Sequence, residues 1–220
     1  MAYSDNEINR ILELKEKLDE NYESFHGPTY RDIPALKEIT DIIGTHDEED
    51  ALEDNFAMIG FLADAYYSMG RHGVASRLYD KAFGFAERLG SEVFEDEGSA
   101  ETLRSDIYYA AVTRNIYNGS KNSCEDIIGK LSGLIPDEEI RTQIEEATGS
   151  AKGHAKHDPV EDTEAYLAVI DDIEKKIDDE LGSDMYRGKC HAIWSLKKEL
   201  LKKHGISWRS LMDINGGIWD

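Results

Sequence analysis

The chain has 220 residues, 40% of them hydrophobic and 32% charged, which suits a helix-rich globular protein rather than a disordered one. Its 46 Asp and Glu against 25 Lys and Arg leave a net charge of −21, which repels nucleic acid and anionic membrane surfaces and favours a basic protein or peptide as partner. No apolar run approaches the ~20 residues needed to span a bilayer. Residues 1–10 lack the apolar core of a signal peptide, and Cys124 and Cys190 are too few and too distant for a disulfide framework, so the expectation is a cytoplasmic protein with reduced thiols.

In chain order, Ile11, Leu14, Leu18, Tyr22 and Phe25 recur at steps of three and four, the stripe of an amphipathic helix, which Gly27-Pro28 stops. A second helix follows Asp32, with Ile33, Leu36, Ile39 and Ile43 on one side and Gly44 after its end. The run "THDEEDALED" then supplies carboxylates for the first turn of a third helix, where the helix dipole favours them. Gly70 and Gly90 end the third and fourth helices. A fifth is expected from Ser99 to Asn118, a sixth from Asn122 to Leu134 and a shorter seventh after Pro136. Residues 149–160, small and polar without apolar periodicity, read as a linker. Beyond them Tyr166, Val169, Ile170, Ile173, Ile177 and Leu181 mark a long eighth helix, and the chain runs back from about Asp184 to His204. No stretch alternates like a strand, so the fold class is all-α.

Within the third and fourth helices the spacing is diagnostic. Ile59-x-x-Leu62-Ala63-x-x-Tyr66 precedes Ala75-x-x-x-Tyr79-x-x-Ala82, with Gly70-Arg71-His72-Gly73 between them. This resembles the tetratricopeptide repeat (TPR), in which small residues let two antiparallel helices approach and large ones fill the gap to the next pair. The match spans 56–89, with Glu87 where the repeat usually has proline. A second copy is expected over 105–136, where Tyr108, Ala111, Val112, Cys124, Ile128, Leu131 and Pro136 fall at corresponding places and Asn115 departs from the aromatic expected. The resemblance implies antiparallel helical hairpins stacked as a short TPR-like solenoid, because no single hairpin can bury its own apolar face. It also implies a groove that binds a protein or peptide, lined from the first helix of each repeat. Asn55, Tyr66 and Tyr67 in the third helix and Arg114 in the fifth are the contact residues expected from that register. The domains expected are a repeat domain over 1–148, the linker 149–160 and a C-terminal hairpin and tail over 161–220.

Residues 185–220 carry seven Lys and Arg against three Asp and Glu, a net of +4, together with all three tryptophans, Trp194, Trp208 and Trp219. In helical projection Cys190, Ile193, Trp194, Leu196, Leu200, Leu201 and His204 share one face. Lys197 falls inside it, and long lysine stems can lie along such a surface. Either this helix closes the fold against an acidic body, or Trp194, Lys197 and Lys198 form a contact surface. The segment is similar to the C-terminus of small uncharacterised proteins of anaerobic Gram-positive bacteria. Gly188, Cys190, His191, Trp194, Lys197, Lys198, Leu201, Gly205, Ile206, Trp208 and Ser210 carry that likeness, with Leu211 and Gly216 where prolines are expected and Trp219 in place of phenylalanine. It implies no function.

Phosphate-binding, dinucleotide, zinc-protease and nucleophile-elbow motifs are missing from the sequence. Glu23-x-x-His26 has the spacing of one half of a di-iron site without the second half, and His154-x-x-His157 falls in the expected linker, so no metal or cofactor is expected. Cys190 and His191 are the candidates for an enzyme reading, although adjacent helical residues point about 100° apart. The expectation is a non-enzymatic, protein- or peptide-binding helical repeat. The alternatives are an enzyme using Cys190 and His191, or a purely structural, oligomer-forming helical protein.

Overall fold

The computed structural model describes residues 3–25, 27–116, 124–151, 155–182 and 189–216. Among these the protein is all-helical: eleven α-helices and no strand, with an isolated bridge between Ser132 and Ile135. The chain divides into two compact units, Met1–Arg114 with Asn122–Ser150, and Asn115–Lys121 with Ala151–Asp220.

In the first unit α1 (Asp5–Phe25) buries Ile11 and Leu14 and packs half-buried Leu18 against the core, but Tyr22 of the expected stripe is 57% exposed. A reciprocal cap, with Thr29 and Asp32 bonded to each other's backbone, starts the 3-10 turn Tyr30–Asp32 that leads into α2 (Ile33–Gly44). Ile33, Leu36, Ile39 and Ile43 of α2 are all buried. Next come α3 (Leu52–Ser68) and α4 (His72–Leu89), packed along their length as a hairpin. The turn between them is dictated by Gly70, whose φ of 74° lies where only glycine is unstrained. It lets the Arg71 N–H reach the Tyr66 carbonyl at 2.8 Å and the Gly70 N–H reach Tyr67 at 2.9 Å. Ala63, Ala75, Ala82 and Tyr79 are fully buried at the places the spacing assigns them, and Tyr66 is 6% exposed.

The unit continues with α5 (Glu97–Ile116), α6 (Glu125–Leu131) and α7 (Asp137–Ala151). Arg114 ties α5 to its neighbours by pairing with Asp80 of α4 and Asp126 of α6, and Arg104 reaches Glu139 of α7 at 3.0 Å. The seventh helix, expected to be short, has 15 residues. It runs through Ala147, Thr148, Gly149 and Ser150, so the first part of the segment read as a linker is helical. Ala147 is fully buried, and a methyl group is all the contact that turn needs; periodicity in large residues misses such a helix.

In the second unit the end of the expected linker is anchored. Asp158 is 6% exposed and accepts from the Arg209 N–H at 2.8 Å and from Arg209 Nε at 3.1 Å. Thr163 caps α8 (Glu164–Leu167), and the expected long helix is split at Ala168–Val169 before α9 (Ile170–Leu181). Helix α10 (Cys190–Lys203) packs on α9, and Ser210 caps the short α11 (Leu211–Asn215). Tyr166, Ile170, Ile173, Ile177, Leu200, Leu201, Ile206 and Trp208 form the core of this unit. None of the described helices is long and apolar enough to cross a membrane.

Candidate functional site

Helical geometry sets Gly60, Asp64 and Tyr67 on one side of α3, at steps of four and three. Opposite them α5 presents Asp106 and Tyr109. The Asp106 carboxylate, 2% exposed, occupies the space left by the missing side chain of Gly60; a Cβ there would stand 3.1 Å from its Oδ2. That Oδ2 is buried without a hydrogen-bond partner. Burial, and then the neighbouring Asp64 charge, raise the Asp106 pKa well above the usual carboxylate range. The Asp64 side chain lies at the surface and accepts a 2.7 Å hydrogen bond from the fully buried Tyr79 hydroxyl of α4.

Above this acid pair lies a cluster of half-buried rings. Tyr67 is 4.8 Å from Tyr109 between centroids and 5.2 Å from His72, and Tyr109 is edge-on to Tyr108 at 5.3 Å. Burial, with Tyr109 and Tyr108 nearby, raises the Tyr67 pKa, so its phenol is a neutral donor at physiological pH. The result is an aromatic surface with an exposed carboxylate at its edge and a buried one beneath.

The expected contact residues divide sharply. Asn55 is fully buried, donates to the His46 carbonyl at 2.7 Å and accepts from the Tyr3 hydroxyl. Tyr66 is core, and Arg114, 7% exposed, is spent on Asp80 and Asp126. Burial therefore removes these three from a contact surface and leaves Tyr67 of the original set on α3 and α5. Register alone pointed to the helix but not to its face.

In the second unit Trp194, Lys197 and Lys198 are all half-buried. Lys197 is the centre of a cage: its Nζ lies 4.9 Å from the Trp208 ring centroid, 5.5 Å from that of Tyr166 and 3.8 Å from Glu174 Oε1. Beside the cage Glu161 accepts from Trp208 Nε1 at 2.6 Å and pairs with His157 Nδ1 at 3.0 Å. Burial pushes the Glu161 carboxyl up, but the His157 hydrogen bond, the Lys197 and His157 charges and the Trp208 N–H together bring it below its usual value. Lys198 pairs with Asp213 at 2.5 Å; this contact and the Ser210 cap lower the Asp213 pKa to about 2. Trp208, 8% exposed, is thus the tryptophan most deeply used among those described, where the helical projection had singled out Trp194. Trp219 lies outside the described residues.

The remaining candidates carry less. His191 stacks edge-on against Trp194 at 5.5 Å, one turn along the same helix, and Cys190 is half-buried. His26 and His154 fall outside the described residues, and among the described ones no group of three or more His, Cys, Asp and Glu could hold a metal ion. A groove of about 340 Å³ between α1 and α3 is lined by Tyr3, Ile8, Ile11, Leu12, Asp54 and Met58. Asp64, Asp106 and Glu161 were not singled out by the sequence, and His157 was read only with His154 in the expected linker. The signal for Asp106 was present: a single acid between Leu103, Ile107 and Ala110, all on the buried side of α5. No known family model matches the chain, and no curated protein or solved structure matches it significantly.

Proposed function

We propose that the first unit is a tetratricopeptide-like helical repeat domain that binds another protein or a peptide on the face shared by α3 and α5. The α3–α4 hairpin, its buried alanines and its tyrosine filler support the repeat reading. The observation that carries the binding reading is the ring cluster of Tyr67, Tyr108, Tyr109 and His72, which leaves aromatic surface partly open to solvent. Tyrosine is enriched where proteins meet because it contributes large area, a polar tip and little conformational entropy. Burial keeps Asn55, Tyr66 and Arg114 out of this surface.

A photo-activated phenylalanine analogue at position 67 or 108, expressed in the native cell, tests the reading. A discrete cross-linked species from both positions, and none from the same analogue at the exposed Tyr22 of α1, is the expected result. Equal labelling from Tyr22, or no adduct from either ring-cluster position, would dismiss the α3–α5 face.

A further inference from the structure

Resting on that binding reading, we propose that the α3–α5 face accepts a cationic side chain, lysine or arginine, of its protein or peptide partner, seated on the Tyr67 and Tyr109 rings against the carboxylates of Asp64 and Asp106.

Three independent features converge there. Tyrosine faces attract cations, more strongly when water is partly excluded, and Tyr67 and Tyr109 stand 4.8 Å apart, half-buried. Asp64 offers a surface carboxylate whose other hydrogen bond, from Tyr79, holds it in place. Asp106 is the decisive one, since its Oδ2 is buried with no donor, a state that natural folds rarely leave uncompensated. No ordered structural role uses that oxygen: Gly60 merely makes room for it, and a hydrophobic side chain would fill the same space without the desolvation cost. Among the described residues, the groups shown to face Asp106 and its partners are Asp64 and Tyr67 on α3, His72 and Tyr79 on α4, and Tyr109 on α5, and no lysine or arginine is shown against the Asp106 carboxylate. A cation from outside is the missing counter-charge. The wider field assists its arrival: residues 1–150 carry 14 Lys and Arg against 32 Asp and Glu, a net of −18.

A general acidic field and a specific seat predict different outcomes. The probe is an acetylated, amidated decapeptide with four lysines, compared with its norleucine counterpart, titrated against the full-length protein by calorimetry. The lysine peptide should bind, and the norleucine peptide at least about tenfold more weakly. Asp64→Asn should weaken the lysine peptide by about tenfold, whereas Glu87→Gln on the exposed side of α4, an equal change in net charge, should leave it nearly unchanged. Asp106→Asn should lose affinity while keeping or raising the melting temperature, which separates loss of binding from loss of fold. Equal losses from Asp64→Asn and Glu87→Gln would overturn the seat in favour of a diffuse field. Equal binding of the norleucine peptide would also overturn it, yet leave the broader partner-binding reading standing on its cross-linking test. Failure of both peptides would overturn the cation seat alone.

Discussion

Asp106 in the first unit and Glu161 in the second are both carboxylates drawn out of water, and they are driven in opposite directions. Glu161 is surrounded by what an anion needs: the His157 ring, the Trp208 N–H and the nearby Lys197 ammonium, so it ionises more easily than in water. Asp106 has Gly60 beneath it and another acid beside it, so it ionises less easily than in water. The amount of burial does not set the outcome; the supply of donors does. A carboxylate with its donors in place is a structural element. One left without donors beneath an aromatic surface is, on our proposal, where a ligand supplies them.

Removing the centrepiece of the satisfied site should have the largest effect. Trp208→Ala takes away a ring that is 8% exposed, the N–H donor to Glu161 and one wall of the Lys197 cage. The expected cost is about 3–5 kcal/mol, the range for deleting a buried tryptophan. Hydrogen exchange should report it as lost protection over α9 and α10, with protection of α3 and α4 unchanged. Unaltered exchange in α9 would mean that the cage does not hold this unit together.

The next change tests the scaffold that places Asp106 over Gly60. Ala63 is fully buried where α3 meets α4, so Ala63→Leu should overpack the hairpin and cost about 1–3 kcal/mol. Glu87→Leu, on an exposed position of the same hairpin, should stay within about 0.5 kcal/mol. Equal melting-temperature shifts for the two variants would remove the close-packed contact on which the repeat reading depends.

Lys197→Met sharpens the comparison by leaving the rings and taking only the charge. Methionine preserves most of the stem packing, so the loss should be about 0.5–2 kcal/mol, the worth of a partly desolvated cation on aromatic faces. The variant should also move the Glu161 carboxyl upward towards the behaviour of Asp106. Following that carboxyl by NMR or infrared titration would show the shift, and a carboxyl that stays put would deny Lys197 its part.

How much of this could be read from the residues depends on what each position advertises. The hairpin was legible because Ala63, Ala75 and Ala82 repeat at spacings that only close helix packing requires, and their burial is complete. The Lys197 cage was half legible: projection put Lys197 on the apolar face, but Tyr166 and Trp208 come from 31 residues before and 11 after, a proximity that no local pattern encodes. Asn55 and Arg114 were misplaced because register names a helix, while inward or outward orientation is set by what packs on it. Arg114 turns inward since Asp80 and Asp126 supply its counter-charges from two other helices.

The pH response should separate the two acids with opposite signs. Asp106 has a raised pKa in the folded protein, so its contribution to stability is fully present below the unfolded-chain value of ~3.9 and is lost as pH rises through the folded value. Glu161 has a lowered pKa, so its contribution is present above the unfolded-chain value of ~4.3 and is lost as pH falls through the folded value. Urea midpoints of wild type, Asp106→Asn and Glu161→Gln, taken across acid and neutral pH, isolate each contribution from the remaining carboxylates. The stability of wild type relative to Asp106→Asn should fall as pH rises, and that relative to Glu161→Gln should rise. Parallel trends would mean that donor supply does not distinguish the two sites.

The smallest expected effect is that of salt on tryptophan emission, and its smallness is the point. The pairs of Lys198 with Asp213 and of Arg209 with Asp158 each leave one partner at least 40% exposed, so each contributes about 0–1 kcal/mol and is open to screening. The Trp208 ring is held instead by apolar neighbours, by its bond to the Glu161 carboxylate and by the shielded Lys197, whose side chain is 16% exposed. If packing and buried polar contacts dominate, raising salt from low to moderate concentration should leave the emission maximum and quencher accessibility of Trp208 almost where they were. The measurement uses Trp194→Phe with Trp219→Phe, so that Trp208 is the only emitter. A pronounced red shift with added salt would show that surface ion pairs, not burial, keep the basic segment in place, and Glu161 would then lose its claim to be a carboxylate satisfied from within.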